Sequence, residues 1–232
     1  VANEALWLLA VSGVVGITLG DSFYFVALQD LGAHAVVVLS MLAPALTVVL
    51  AVLLLGETPS LQAFGGIALV IAGVSAVLWS RVSDAASGSS KRGVVFGLLA
   101  VLMMALGTVI TKRGLDGVTA TDATMVRAAS GTLGLLVWGA VGGSLGEWTA
   151  KFRDAKTLGN VLLAVTVITF GGFWALHASL KHVDAAIAAV VSATEPLFVI
   201  PLAALVLGER IGAAAIVGTL VTAAGIALIY AG

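Results

Sequence analysis

The feature that most constrains the fold is the apolar stretch over residues 184–210, which carries a carboxylate and a proline near its middle. A bilayer-spanning helix needs about 20 apolar residues at roughly 1.5 Å each, and this stretch is long enough. Glu195 at that depth would cost on the order of 3 kcal/mol in lipid, so we expect it to face a cavity or a partner. Pro196 removes a backbone donor, which predicts a bend.

The same design occurs earlier in the chain. Residues 33–55 carry Pro44 at their midpoint and are followed by Gly56 and Glu57, just as the later stretch ends at Gly208 and Glu209. The two copies lie 152 positions apart (196 − 44 and 208 − 56). Further identities occur at this offset without a gap: Gly20 with Gly172, Ser40 with Ser192, Gly66 with Gly218, and Gly73 with Gly225. Chance matches between apolar segments do not readily align proline, Gly-Glu and glycines in one register.

The composition indicates a polytopic membrane protein. Hydrophobic residues make up 60% and charged residues 10% of the chain, whereas soluble domains carry roughly 25% charged residues. The net charge of −1 argues against a nucleic-acid partner. Without cysteine the chain has no disulfide and no Cys-type metal site. Three scattered histidines, His34, His177 and His182, do not form a metal motif, and we expect no metal and no cofactor.

Eight apolar segments predict an all-α bundle with eight transmembrane helices. They cover roughly residues 5–29, 33–55, 61–80, 93–113, 122–144, 158–180, 184–207 and 212–231. Small polar residues at 82–92 predict a linker between an N-terminal repeat (1–81) and a C-terminal repeat (93–232). The offset spans five segments, an odd number, so the two copies are expected in opposite orientations, as in secondary transporters with inverted repeats. Two further helices are expected before Val1, which would complete five plus five from the three plus five present.

A family resemblance rests on these motifs. Residues 19–60, from LGDSFYF to LLLGETPS, resemble the third and fourth helices of EamA-type transporters of the drug/metabolite transporter superfamily. Residues 192–212, SATEPLFVIPLAALVLGERIG, resemble the matching ninth helix. The resemblance implies ten helices, a central cavity between two inverted five-helix repeats, and export of small metabolites across a plasma membrane, here the bacterial inner membrane.

Three ionisable residues lie within apolar segments: Asp21, Arg127 and Glu195. None is repeated at the offset of 152, so we interpret them as candidates for specificity or coupling. Glu195 would bind a cationic group or a proton; alternatively it is structural, satisfied by Ser192. Asp21 has the same two interpretations, with Tyr24 able to enclose it. Arg127 either lines the pathway or extends its long side chain to the lipid headgroups.

The remaining candidates lie nearer the segment ends. Lys112 ends the fourth segment, where a cation suits a helix C-terminus; the family resemblance also makes it a candidate at the mouth of the cavity. His177 is either a proton relay or a satisfied interfacial residue. Trp174 and Tyr24 either line the cavity or pack, and Ser192 is a further pathway candidate beside Glu195. Glu57 and Glu209 follow helix-ending glycines, so we expect each to pair with loop cations or to cap the next helix.

The leading functional hypothesis is a secondary transporter, not an enzyme, that exports small metabolites such as amino acids. Export of drugs or amphipathic compounds is the alternative within the superfamily. An intramembrane enzyme would need a nucleophile–base pair or a metal constellation, and a non-transporting scaffold is the third class. No phosphate-binding Gly-x-x-x-x-Gly-Lys motif is present, so a gradient of ions, with protons as candidates, or of substrate would supply the energy. Expected partners are a small molecule and the bilayer; closely spaced glycines predict tight helix packing, with a homodimer as the alternative.

Overall fold

The computed structural model describes residues 2–40, 42–82, 91–150, 154–192, 194 and 213–231, and the regular structure in these ranges is helical. The α-helices are α1 (Ala2–Gly13), α2 (Gly20–Ser40), α3 (Leu42–Leu50), α4 (Leu61–Val82), α5 (Lys91–Gly114), α6 (Ala120–Val141), α7 (Leu145–Ala150), α8 (Ala155–Thr166), α9 (Trp174–Leu180), α10 (Ala185–Ser192) and α11 (Ala213–Ala231). Three π-helical stretches extend them: Val14–Leu19 between α1 and α2, Ala51–Leu55 after α3, and Val167–Phe173 between α8 and α9.

Within the described residues, four helices are long and apolar enough to cross a membrane: Asn3–Leu31, Lys91–Gly114, Ala120–Val141 and Ala155–Leu180. Two shorter apolar helices cover Leu42–Leu55 and Leu61–Gly73. The all-helical fold class is therefore confirmed. The count of eight spans stays a prediction, because residues 195–212 lie outside the described part of the chain.

The predicted connection between residues 29 and 33 is wrong, since α2 continues without interruption from Gly20 to Ser40. No proline interrupts this stretch, and Gly32 alone costs a helix only about 1 kcal/mol relative to alanine. Pro44 is buried in α3, close to residue 41, which lies outside the described residues. The bends at Pro44 and Pro196 stay predictions, and Pro196 lies outside the described residues.

Contacts divide the chain into two compact units. Unit 1 comprises residues 1–19 and 106–182, and unit 2 comprises residues 20–105 and 183–232. Two of the three boundaries, at 19/20 and 105/106, fall within continuous helical segments, and the third, at 182/183, falls in the turn between α9 and α10. Each unit contains parts of both predicted repeats. The two units therefore do not coincide with the two predicted repeats, 1–81 and 93–232. The division into repeats stays a prediction.

Small residues let the helices of unit 1 approach closely. Gly131 and Gly134 on α6 face Ile17 and Thr18 of the first π-helical stretch. The Thr18 hydroxyl donates to the Gly131 carbonyl at 3.0 Å. A Cβ placed on Gly107 of α5 would lie 2.9 Å from the Cα of Gly16. The tight helix packing predicted from closely spaced glycines is confirmed at Gly131 and Gly134, where a larger residue would collide with Ile17 or Thr18.

Two helices of unit 2, α4 and α11, pack closely against each other. A Cβ on Gly73 would lie 2.7 Å from the Gly218 carbonyl oxygen, and one on Gly225 would lie 2.8 Å from the Gly66 carbonyl oxygen. Gly66, the earlier glycine of α4, lies against Gly225, the later glycine of α11. Gly73, the later glycine of α4, lies against Gly218, the earlier glycine of α11. The two helices therefore run antiparallel. Their approach leaves no room for a methyl group at either crossing point.

We predict that Gly73→Ala destabilises the protein by about 1–3 kcal/mol, because the methyl group must push apart two backbones already in contact. Gly171→Ala is the matched control, since a Cβ there meets nothing within 4 Å. Reversible unfolding in mixed micelles measures both variants. Equal stabilities for the two variants would contradict the observed α4–α11 contact.

Candidate functional site

A buried polar cluster lies in unit 1 and joins α6 to α9. Thr124 and Arg127 are three residues apart on α6, so their side chains lie on one face of that helix. His177 approaches them from α9. All three side chains are buried, with exposed fractions of 2% for Thr124, 6% for Arg127 and 1% for His177. Since both helices belong to candidate spans, this is a polar group enclosed within apolar segments.

The hydrogen bonds fix the arrangement of protons in the cluster. Arg127 Nη1 lies 2.7 Å from His177 Nε2, and a guanidinium can only donate. His177 Nε2 must therefore accept, so its imidazole is neutral and carries its proton on Nδ1. Nδ1 lies 2.7 Å from the Thr124 hydroxyl, which in turn donates to the Ala120 carbonyl at 2.7 Å. The result is one directed chain of hydrogen bonds from Arg127 to the backbone of α6.

The surroundings of the cluster hold it in place. A Cβ on Gly16 would lie 3.2 Å from Arg127 Nη2, so the first π-helical stretch covers the guanidinium. The Phe173 ring lies 6.4 Å from the His177 ring at an interplanar angle of 14°. Burial of Arg127 is inconsistent with the alternative in which its side chain reaches the lipid headgroups. A charge held at this depth needs polar partners inside the protein, and His177 is one of them.

Two other candidate residues of unit 1, Trp174 and Lys112, form hydrogen bonds outside this cluster. The Trp174 indole N–H donates to the Thr121 hydroxyl at 3.2 Å, while the ring stays 43% exposed. Lys112 Nζ donates to the Leu180 carbonyl at 2.7 Å, at the C-terminus of α9. A cation there complements the helix dipole and satisfies a terminal carbonyl. Lys112 thus lies in the last turn of its own helix α5 and also contacts the C-terminus of α9.

The candidates in unit 2 are not gathered into one cluster by any described contact. Asp21 is half-buried in the first turn of α2. Tyr24 is half-buried and packs edge-on against Phe25, with ring centroids 5.8 Å apart. Ser192 is exposed at the end of α10. Glu195 and Pro196 lie outside the described residues, so their predicted roles stay predictions.

Two contacts in the structure were not predicted from the sequence: that of Thr124 with His177 and that of Glu57 with the start of α10. Thr124 was not singled out, although its position three residues before Arg127 marks it as a neighbour on the same helix face. Glu57 was predicted to cap the next helix or to pair with loop cations. It binds instead the N-terminus of α10, 128 residues away, which no local spacing reveals.

We predict that Thr124→Val destabilises the protein by about 1–3 kcal/mol, because the variant leaves the buried His177 Nδ1–H without an acceptor. Thr111→Val is the matched control: Thr111 is equally buried, and its hydroxyl bonds the Gly107 carbonyl of its own helix. Unfolding in mixed micelles gives both values, and ¹⁵N NMR should show the Nδ1–H tautomer of His177. An Nε2–H tautomer, or equal losses in both variants, would refute the arrangement.

Comparison with known proteins identifies the family of the chain. The EamA-like transporter family matches residues 2–79 and 91–231. A solved structure titled only "Crystal structure of protein" is similar in fold, with a TM-score of 0.73 and 19% identity over 96% of this chain and 74% of that one. No curated protein matches. Because the family match extends over nearly the whole chain, the protein belongs to the EamA-like transporter family and is a membrane transporter of the drug/metabolite transporter superfamily.

Proposed function

We propose that the protein is a gradient-driven secondary transporter that exports small polar metabolites such as amino acids. Membership of the family makes it an integral membrane transporter; the substrate class, the direction and the energy source are the proposal. The observation that carries it is the reciprocal glycine contact between α4 and α11, which supports two inverted repeats.

The contact has the form that a two-fold axis requires. Gly218 lies 152 positions after Gly66, and Gly225 lies 152 positions after Gly73. Gly73 meets Gly218, and Gly66 meets Gly225. A two-fold rotation that exchanges the repeats turns each contact into the other, as in an isologous interface. Since α4 and α11 run antiparallel, the equivalent helices have opposite orientations, which supports the inverted repeat of an alternating-access transporter.

An irregularity of the backbone recurs at the same offset. The π-helical stretch Val167–Phe173 corresponds to positions 15–21, and the first span has its π-helical stretch at Val14–Leu19. Such stretches are rare within α-helices and often occur at functional sites. The two copies therefore match in local backbone conformation as well as in sequence, which is a second, independent support for the repeat.

Charged groups within the spans favour a polar substrate over an amphipathic drug. Arg127 is buried in a span and keeps its charge at all physiological pH values. Glu195 provides a carboxylate within another apolar segment. An enclosed charge such as Arg127 attracts an oppositely charged group of a substrate strongly, because the surrounding dielectric is low. We assign Arg127 to the transport pathway, with His177 holding its guanidinium and Thr124 holding the imidazole of His177.

We predict that Arg127→Lys lowers transport by tenfold or more, since lysine cannot present a planar fork of donors to His177 and a second partner at once. Arg113→Lys is the control, because Arg113 is exposed at the end of α5. The assay measures efflux of a panel of amino acids and related metabolites from proteoliposomes containing the full-length protein. Lack of flux for every compound would overturn the proposed function, whereas normal flux in Arg127→Lys would remove Arg127 from the pathway.

We further predict that Glu195 couples transport to protons. Glu195→Gln should abolish accumulation driven by a pH gradient and spare exchange of substrate at equal pH, because the amide keeps the shape and cannot titrate. If Glu195 binds a substrate ammonium instead, both activities should fail. Normal pH-driven transport by Glu195→Gln, with misassembly of Glu195→Leu, would show that the residue is structural.

A further inference from the structure

The segment after α3 directs a carboxylate into the interior of unit 2. Gly56 follows the π-helical stretch with φ 69° and ψ 22°, and its backbone N–H donates to the Ala51 carbonyl. Glycine adopts this left-handed conformation without strain, and it reverses the chain at a helix end. The next residue, Glu57, is consequently turned inward and is only 9% exposed.

Both oxygens of Glu57 bind the start of α10. Oε1 accepts from the Ala185 N–H at 2.7 Å, and Oε2 accepts from the Ala186 N–H at 3.1 Å. The first N–H groups of a helix have no partner within that helix, and the helix dipole favours an anion at this position. These are charge-assisted hydrogen bonds, stronger than those between neutral groups. Glu57 therefore holds the N-terminus of a helix that belongs to the other predicted repeat.

The equivalent positions of the first repeat have a different structure. Positions 33 and 34 lie 152 residues before Ala185 and Ala186, and they fall inside the continuous helix α2. Their N–H groups therefore belong to a helix interior, whereas those of Ala185 and Ala186 lie at a helix start. In alternating access through inverted repeats, the two repeats exchange conformations between the inward-open and outward-open states. Because positions 33 and 34, as described, do not offer helix-start N–H groups to a carboxylate, the contact of Glu57 with Ala185 and Ala186 is expected to form in one state and break in the other.

We propose that Glu57 is a gating residue, whose carboxylate holds the N-terminus of α10 in one transport state and releases it in the other. The proposal rests on the inverted repeat of the proposed function. It differs from a fixed helix cap, which would stay bound throughout the cycle.

The distance between Thr58 and Asp184 tests the proposal. The chain has no cysteine, so spin labels on Thr58→Cys and Asp184→Cys report on the two sides of the contact. In the full-length protein in nanodiscs, pulsed electron paramagnetic resonance should show a short distance and a second, longer one. Glu57→Gln places an amide group against one of the two donors, so it should increase the ratio of the longer to the shorter population by tenfold or more.

Controls separate gating from loss of structure. Glu147→Gln makes the same chemical change on an exposed residue of α7 and should leave both populations unchanged. Labels on Gln62 of α4 and Leu220 of α11, both exposed, should keep one distance in every variant. A single short distance in the wild-type protein, or an unchanged distribution in Glu57→Gln, would overturn the proposal. The spin-label distances are measured without a transport assay. A result that overturns the gating role of Glu57 is therefore distinct from a result that overturns the proposed transport function.

Discussion

The structure depends on one constraint: inside a bilayer, backbone and side-chain polar groups must find partners within the protein, because lipid offers none. Helix ends are where this is hardest, since four N–H or four C=O groups lack partners at each end. The chain meets the need with long side chains from distant segments. Lys112 reaches the C-terminal carbonyl of α9, and Glu57 reaches the N-terminal amides of α10. Each residue satisfies the helix end whose dipole suits its charge.

The same constraint determines how a permanent charge can be buried in a span. Arg127 cannot lose its proton, so its partners must adapt to it. His177 does so as a neutral imidazole that accepts at Nε2, and Thr124 completes the chain by accepting from Nδ1. Protonation of His177 at Nε2 would remove the acceptor that Arg127 uses. The cluster therefore links the position of the guanidinium to the protonation of the histidine.

The sequence predicted those parts of the structure that depend on regular spacing. The helical class follows from composition, and the close packing of α6 follows from Gly131 and Gly134. The offset of 152 picked out the four glycines of the α4–α11 contact, though not which glycine would meet which. The tertiary contacts could not be predicted from the sequence. His177 and Arg127 are 50 positions apart, and Glu57 binds a helix start 128 positions away, because side chains at such separations meet only through the packing of several helices.

The account depends most on α4 and α11 being inverted copies of one helix. Membrane-impermeant thiol labelling tests this with single cysteines at Thr58, just before α4, and at Ala231, where α11 ends. An antiparallel pair places these two positions on the same side of the membrane, and a cysteine at Ala213, where α11 begins, on the other. Labelling of Thr58→Cys and Ala231→Cys from one side, with Ala213→Cys reached only from the opposite side, is the result we predict. Labelling of Thr58→Cys and Ala213→Cys from the same side would contradict the inverted repeat.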